Sequence, residues 1–484
     1  MKRSIISAMG GIFALLILTG SGCMKEQVQG AKDLDGQLAK IINEHSLTGD
    51  PSKGRDPVKI DSSVAQLGMK LFFSKSLSLE GDTACVSCHH PFLGGGDNLP
   101  LPIGVEAVNA DILGEGRTHP GGVFTVPRNS PTTFNAGLWK KALFFDGRVE
   151  VLGEKNGNMT IRTPDSDFGV ADPKAGNSLL EAQARFPVTS VDEMRGRATE
   201  VMADIRKDRQ QVRRRLVQRL AENNWTQEFK RAFPGYKEPK SLISYAHIAK
   251  AISAYEESQL FINNPWRSYV QGNTSAISQS AKRGALLFFK GVNQGGTGCA
   301  ACHSGDFFSD ENFYVLCIPQ VGVGKGDGET GTDDFGRFRE TGNPLDTHAF
   351  RTQSLLNVEV TGPYGHSGFY GSLEEVVRHH SSPAKAVARC NFEELDPMIP
   401  SKDAEKNTKD VLAHLQRNKD QGIATLTEFS LSDGQLTDIV NFLKSLTDPC
   451  VKDKECLKPW VLGPDMQGPD GSLLRAIDEQ GRPL

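Results

Sequence analysis

A short cysteine pattern occurs twice in this chain and constrains its fold more than any other feature. The pattern is Cys-x-x-Cys-His, and its six residues are Cys85, Cys88, His89, Cys299, Cys302 and His303. It attaches a c-type haem through two thioether bonds, and the imidazole after the second cysteine binds the iron. A zinc half-site is the alternative interpretation of a single copy. Two copies favour a protein with two covalently bound haems.

The overall composition is that of an exported globular protein. The chain has 484 residues, a net charge of -4 and 38% hydrophobic residues, so its length predicts two domains or more and its charge gives no sign of a nucleic-acid partner. Two basic residues precede the apolar run Ile12 to Leu18, and small residues lead to Cys23. This order predicts a secretory signal, and the small residues before Cys23 resemble a bacterial lipoprotein cleavage site. A signal that is cut elsewhere is the alternative to a lipoprotein signal peptide at 1–23.

Four cysteines remain after the haem motifs and Cys23. In an oxidising compartment an even number of cysteines favours disulfides. Cys450 and Cys456 are close enough in sequence to close a small loop. The remaining pair is then Cys317 with Cys390.

Several further stretches resemble the bacterial di-haem cytochrome c peroxidases and their MauG-type relatives. They occur in the family's order between Leu67 and Leu446 and include Pro127–Pro131 (PRNSP), Phe144–Arg148 (FFDGR), Phe350–Asn357 (FRTQSLLN), Thr361–His366 and Leu373–Val377. The resemblance implies reduction of hydrogen peroxide with electrons from a small periplasmic cytochrome c or cupredoxin. The alternatives are a MauG-like enzyme that oxidises a protein residue or another external substrate, and a pure electron-transfer cytochrome.

The apolar periodicity is helical through most of the chain. We therefore expect a mainly α protein with two cytochrome c-like helical domains, each with one covalently bound c-type haem, and with long loops. Residues 149–178 read as such a loop. The predicted segments are a tether with one amphipathic helix at 24–57, an N-terminal peroxidatic haem domain at 58–268, a C-terminal electron-transfer haem domain at 269–450 and a tail at 451–484.

At the first haem, the resemblance implies that His89 is the proximal ligand and that three residues form the distal pocket. Gln183, Pro187 and Glu193 match the family's spacing. Splitting peroxide requires a proton to move from the near oxygen to the leaving oxygen, and a positioned carboxylate such as Glu193 performs both transfers. Gln183 would hold the peroxide and Pro187 would shape an apolar wall. A surface glutamate is the alternative for Glu193.

This sequence departs from the family at two positions near the first haem. Many members carry a histidine that caps the first iron until reduction, and alignment places Val105 there, with His119 as the competing candidate. Because valine cannot bind iron, we expect a first haem with an open or water-bound face. The family usually has tryptophan between the haems, where this chain has Phe145, so electron hopping through that side chain is not expected.

At the second haem, the family's distal ligand lies nineteen residues after Thr361, which corresponds to His380. Helical spacing agrees, since the residues at i, i+3, i+4 and i+7 form one apolar stripe: Leu373, Val376, Val377 and His380. This pattern places His379 on the polar side. A core histidine satisfied by hydrogen bonds is the alternative for His380. With His303, the second iron would be bound by imidazole on both faces.

The resemblance also implies a calcium ion between the haems. Its ligands would be the side chain of Asn129 and the backbone carbonyls of Thr361 and Pro363, and oxygen donors suit this hard cation. We further expect a periplasmic protein that touches the outer membrane only through a lipid anchor. The sequence is compatible with a homodimer.

Overall fold

The computed structural model describes residues 33–197, 204–238, 241–423, 426–463 and 466–484. The predicted signal peptide, Cys23 and the start of the tether lie outside these residues. The described part is mostly helical, as expected, and none of its helices is long and apolar enough to cross a bilayer. The helices are α1 (33–44), α2 (Ser63–Phe72), α3 (Leu179–Gln183), α4 (Ile205–Glu222), α5 (Thr226–Ala232), α6 (Tyr245–Glu257), α7 (Pro265–Val270), α8 (Gln279–Phe289), α9 (Phe338–Thr341), α10 (Leu373–Ser381), α11 (Pro383–Val387), α12 (Ala404–Asp420), α13 (Asp433–Lys444) and α14 (Lys454–Leu457).

Two helix crossings of the same construction organise the molecule. In the N-terminal half (58–268), α2 crosses α6, and a Cβ on Gly68 would lie 1.9 Å from the carbonyl oxygen of Ala251. In the C-terminal half (269–450), α8 crosses α13, and a Cβ on Gly284 would lie 1.9 Å from the carbonyl oxygen of Asp438. Only glycine permits such close approach of two backbones. The first helix of each crossing, α2 or α8, precedes a haem motif in sequence, so each crossing holds the segment that leads to a motif.

Apolar burial around each crossing supplies the two main cores, since removal of apolar surface from water is the largest favourable contribution to folding. The N-terminal core contains Phe72, Trp225 and Tyr255, each at most 1% exposed. The C-terminal core contains Phe288 and Phe442. Val86 of the first motif and Ala300 of the second belong to these cores, so each motif packs against one of them.

Residues 149–178 differ from the predicted loop. Strands β1 (Ala142–Leu143), β2 (Val149–Lys155) and β3 (Asn158–Arg162) form an antiparallel sheet in that order. Asn156 and Gly157 connect β2 to β3 with φ angles of 53° and 75°, the left-handed backbone that a two-residue hairpin turn requires. The remaining strands, β4 (Phe313–Tyr314) and β5 (Phe350–Arg351), pair with each other.

The described part of the predicted tether packs on the body of the protein. Leu38 and Ile41 of α1 are buried in the C-terminal core, and Lys282 forms an ion pair of 2.7 Å with Asp35. The backbone N–H of Gly49 donates to Asp306 at 2.8 Å. Residues 33–49 are thus anchored by the apolar face of α1 and by backbone N–H groups that donate to Asp306, rather than free of the body.

The tail returns to the N-terminal half. The N–H of Leu474 donates to the carbonyl oxygen of Phe73, and that of Lys75 donates to Ser472, both at 2.9 Å. Asp470 accepts a hydrogen bond of 2.6 Å from the indole of Trp225. Residues 466–484 therefore cover the core that contains α2.

One of the two expected disulfides is confirmed and the other is wrong. Cys450 and Cys456 are bonded. Cys317 and Cys390 are free thiols. The Sγ of Cys317 donates to the carbonyl oxygen of Thr408 at 3.7 Å, and that of Cys390 to Ala386 at 3.4 Å. Cys390 also has a hydrogen bond with the side chain of Tyr370.

Candidate functional site

One cavity of about 410 Å³ runs between the two halves and contains both haem motifs. Its walls include all six motif residues: Cys85, Cys88, His89, Cys299, Cys302 and His303. None of the four cysteines of these motifs is in a disulfide. A cavity of this size is in the range of cofactor sites.

The two motif histidines are oriented alike. The Nδ1 of His89 lies 3.2 Å from the carbonyl oxygen of Gly95, and the Nδ1 of His303 lies 3.2 Å from that of Phe308. A proton on Nδ1 that is donated to a carbonyl leaves Nε2 as the ligand atom. Burial lowers the pKa of both rings, that of His303 to about 4, and the neutral ring is the form that binds iron. Paired thiols beside such imidazoles fit covalent haem at both motifs.

His380 lines the same cavity from α10. Its Nδ1 lies 2.7 Å from the carbonyl oxygen of Val376, so its Nε2 is also the free nitrogen. Burial lowers the pKa of His380, and burial together with the nearby charge of His380 lowers the pKa of His303. The predicted apolar stripe lines the cavity as well: Leu373, Val376 and Val377.

The prediction for His379 is wrong. This residue is fully buried, not on a polar face. Its Nδ1 lies 2.6 Å from the hydroxyl of Tyr370, and its Nε2 lies 2.7 Å from the carbonyl oxygen of Leu316. Tyr370, which precedes α10, and Leu316, which lies in a remote loop, cover this face of the helix, and helical spacing carries no information about either contact.

The three residues predicted for the first distal pocket lie together on the cavity wall. Gln183 is the last residue of α3, Pro187 begins a short turn and Glu193 lies in a π-helical turn, Val191–Arg195. The backbone of Glu193 is held by Gly104, where a Cβ would lie 2.5 Å from the carbonyl oxygen of Glu193. Glycine at 104 is therefore needed for this approach, which fixes the carboxylate against the first motif.

Neither candidate for the capping position is among the described residues that line the cavity. Val105 is buried beside the distal turn, with its N–H 3.4 Å from the carbonyl oxygen of Asp192. His119 is turned toward Glu106, at 3.5 Å, and accepts from the N–H of Gly121. The loop that contains Val105 therefore lies next to Glu193, whereas His119 lies outside the cavity.

The structure adds charged residues that the sequence interpretation did not single out. Glu256 of α6 lines the cavity, and burial followed by the charge of Glu257 raises its pKa to about 8. Lys325 and Arg351 also line it, and burial lowers their pKa to about 8 and about 9. One terminal nitrogen of Arg351 is buried without a partner among the described residues. Cations aimed into the cavity fit the propionate groups of a haem.

In the sequence, Arg351 is one residue of the FRTQSLLN stretch, and this stretch does not predict the direction of its side chain. Its guanidinium carbon lies 3.4 Å over the ring of Trp139, and its Nε donates to the carbonyl oxygen of Phe144 at 3.1 Å. Phe145 and Trp139 both line the cavity. Thus β5 of the C-terminal half reaches the FFDGR stretch of the N-terminal half.

The three residues suggested for calcium also line the cavity: Asn129, Thr361 and Pro363. The Nδ2 of Asn129 donates to the carbonyl oxygens of Leu99 and Pro100, both at 3.0 Å, so Oδ1 is the atom left for another partner. In the part of the chain that the structure describes, no group of three or more His, Cys, Asp or Glu residues is arranged for a metal ion. Carbonyl and amide oxygens are ligands that suit a calcium ion.

Comparisons with known proteins agree with this arrangement. The family model for di-haem cytochrome c peroxidase matches residues 62–275. The methylamine utilization protein MauG of Methylorubrum extorquens is 28% identical over 413 residues, which span 85% of this chain and 92% of that protein. The cytochrome c551 peroxidase of Pseudomonas aeruginosa is 28% identical over 319 residues, which span 66% of this chain and 71% of that protein.

Solved structures show the same fold. The diheme peroxidase BthA of Burkholderia thailandensis matches with a TM-score of 0.51 at 19% sequence identity. The match covers 88% of this chain and 93% of that one.

Proposed function

Because the chain belongs to the family of di-haem cytochrome c peroxidases and MauG proteins, we propose that it is a peroxidase that reduces hydrogen peroxide at its first haem. Electrons would come from a small periplasmic cytochrome c or cupredoxin and pass through the second haem. The observation that carries this proposal is the asymmetry of the cavity. Glu193 and Gln183 line it with the first motif, where burial and, among smaller causes, the charge of Glu193 raise the pKa of Cys85 and Cys88. In the second motif, by contrast, the imidazole of His380 lies near that of His303.

At the first end the haem supplies the redox chemistry, and the chain supplies positioning and proton movement. His89 holds the iron through Nε2. Gln183 orients the peroxide, and Pro187 keeps this wall apolar. The carboxylate of Glu193 takes the proton from the near oxygen and returns it to the leaving oxygen, as general acid–base catalysis requires. With two electrons and two protons, each peroxide yields two waters.

At the second end, two features favour the MauG-like alternative in which peroxide serves to oxidise an external substrate. Imidazole on both faces of an iron lacks the methionine that raises haem potentials, so this haem would accept electrons less readily from high-potential donors. Phe145 replaces the easily oxidised tryptophan expected between the haems. A pure electron-transfer role fits less well, since a carrier has no need of Glu193.

The remaining assignments belong to the same proposal. Lys325 and Arg351 would hold propionates, and Asn129, Thr361 and Pro363 would bind calcium, whose loss on chelation can be measured by metal analysis of purified protein. We also propose a periplasmic location with a lipid on Cys23, and leave a homodimer as a possible assembly.

The test of the function is Glu193→Gln in the protein loaded with both haems. We expect turnover of peroxide with a reduced cytochrome c to fall by about 100-fold to 10,000-fold, the usual contribution of a positioned acid–base group. Asp192→Asn is the matched control, because that neighbouring carboxylate forms a half-exposed ion pair of 2.8 Å with Arg197 and does not line the cavity.

Equal turnover in the Glu193→Gln variant and the unchanged protein would remove the assignment of Glu193. The same assay separates the two candidate functions. Rapid turnover with the reduced cytochrome supports the peroxidase, and a long-lived oxidised state that the cytochrome does not discharge supports the MauG-like enzyme.

A further inference from the structure

A tyrosine–histidine pair lies directly behind the second haem site. The hydroxyl of Tyr370 is 2.6 Å from Nδ1 of His379, and both side chains are buried, with exposed fractions of 8% and 0%. Neither residue is among those that line the cavity. The pair is therefore separate from the groups assigned above to haem binding and peroxide chemistry.

The hydrogen bonds of the pair fix the direction of its proton. The Nε2 of His379 lies 2.7 Å from the carbonyl oxygen of Leu316, and a carbonyl can only accept, so Nε2 carries the ring hydrogen. The Nδ1 must then accept from the phenol. A phenol with a base already in contact can lose its proton at the moment it loses an electron, and no solvent rearrangement is needed.

The pair is also close to the second iron site. The rings of Tyr370 and His379 are 5.1 Å apart, and those of His379 and His380 are 6.0 Å apart. His379 and His380 are neighbours on α10, whose start is fixed by a capping box between Ser372 and Glu375. Leu316, which accepts from His379, lines the haem cavity. A short and rigid path therefore joins the phenol to the ligand of the second haem.

We propose that Tyr370 is a redox-active tyrosine that stores one oxidising equivalent for the second haem. This role rests on the proposed function, which supplies the oxidant. That oxidant is the haem pair after its oxidation by hydrogen peroxide. The O–H bond of Tyr370 breaks, its electron reduces the second haem by one equivalent, and its proton forms a bond to Nδ1 of His379. The imidazolium then donates from Nδ1 to the phenoxyl oxygen and from Nε2 to Leu316. Return of one electron and this proton restores the phenol.

The test is electron paramagnetic resonance of the protein with both haems, frozen after it is mixed with hydrogen peroxide. We expect a tyrosyl radical signal that narrows when tyrosine with a deuterated ring is incorporated, and we expect Tyr370→Phe to remove that signal. The second variant, His379→Gln, keeps a hydrogen-bond acceptor that cannot take the proton. The tyrosyl radical signal should be lost in this variant too. The absorption spectrum of the second haem should be retained.

Tyr255→Phe is the matched control. Tyr255 is also buried, but its hydroxyl donates at 2.7 Å to the carbonyl oxygen of Trp460, which cannot act as a base. The signal should survive this change. A signal that persists in Tyr370→Phe, or that disappears in Tyr255→Phe alone, would overturn the proposal.

Consumption of peroxide in the same samples reports separately on the proposed function. If peroxide reacts and no tyrosyl signal forms, only the role of Tyr370 fails. If peroxide does not react, flash-generated tris(bipyridine)ruthenium(III) replaces it as a one-electron oxidant. The same variants are then compared, and absence of a signal that depends on Tyr370 rejects the pair independently of the first haem.

Discussion

His380 is oriented by a contact within its own helix. Its Nδ1 bonds to the carbonyl oxygen of Val376, one turn earlier in α10. The ring direction is therefore set by a contact within the helix itself. The residue type at this position determines the second axial donor of the proposed haem, and imidazole donates more strongly than a thioether.

We expect His380→Met to raise the reduction potential of the second haem by on the order of 0.1 V, within the span of about 0.8 V that axial ligands cover. A spectroelectrochemical titration of the holoprotein measures it. His119→Met is the control, since His119 pairs with Glu106 outside the cavity, and it should leave both potentials unchanged. If His380→Met leaves the potential unaltered, His380 does not bind the iron.

Single residues were predictable where their chemistry depends on nearby sequence. Each Cys-x-x-Cys-His motif lies within five consecutive residues. The side of α10 on which His380 lies follows from the helical spacing of that one helix. Glu256 and Arg351 were not predictable, because their role comes from burial against a distant part of the chain. The same holds for His379, which periodicity places at the surface and which a remote loop covers.

At the scale of elements, the crossing of α8 and α13 positions the second haem motif. A Cβ on Gly284 would collide with the backbone of Asp438 and lie 2.9 Å from the Cβ of Phe442. Backbone cannot move aside as the end of a flexible side chain can. The distance between these helices therefore depends on the absence of one methyl group.

We predict that Gly284→Ala destabilises the protein by about 1–3 kcal/mol, the usual cost of overpacking. Thermal unfolding of the holoprotein measures the change. Gly434→Ala is the matched control in α13, where the nearest atom to an added Cβ is 3.9 Å away, and alanine there should stabilise by up to about 1 kcal/mol through its helix propensity. The same sign for both substitutions would contradict this account of the crossing.

The mainly helical fold was predictable because apolar positions repeat at helical spacing over several turns. The hairpin of β2 and β3 was not predicted, although its turn contains Asn156 and Gly157. The reason lies in the register, which shifts between Val151 and Gly153. Such a bulge adds one residue to one strand and interrupts the alternation of side chains, which is the signal that identifies a strand in sequence.

At the scale of the whole molecule, a buried ion pair joins the two halves. Arg128 of the N-terminal half donates to both carboxylate oxygens of Asp334 in the C-terminal half, at 2.6 and 2.8 Å, and also to Asp146 at 2.6 Å. Burial alone would raise the pKa of Asp334, but the charge of Arg128 outweighs it and holds this pKa well below its usual range. The sequence offered no means to pair residues 206 positions apart.

Asp334→Asn should destabilise the protein by about 3–5 kcal/mol, because it leaves a buried arginine partly uncompensated. Since the folded pKa of Asp334 is depressed, its contribution is present above the unfolded value near 3.8 and is lost as the pH falls below it. Denaturant unfolding at pH 7 and at pH 3 measures both effects, and the difference between the proteins should shrink at pH 3.

The control for this ion pair is Asp433→Asn. Asp433 pairs with Arg378 at 2.7 Å, but its side chain is 93% exposed, so the change should be about 1 kcal/mol or less. If the two substitutions lower the free energy of unfolding equally, burial of Arg128 does not increase the contribution of its ion pair to stability.

The return of residues 466–484 to the N-terminal half has a consequence for how the protein is made. Leu474 and Ala476 belong to the same core as Phe72, whose helix leads into the first motif. These residues leave the ribosome some four hundred positions after Phe72. The half that is synthesised first is therefore completed only after residues 466–484 have been made, and the first haem motif acquires its full covering at that point.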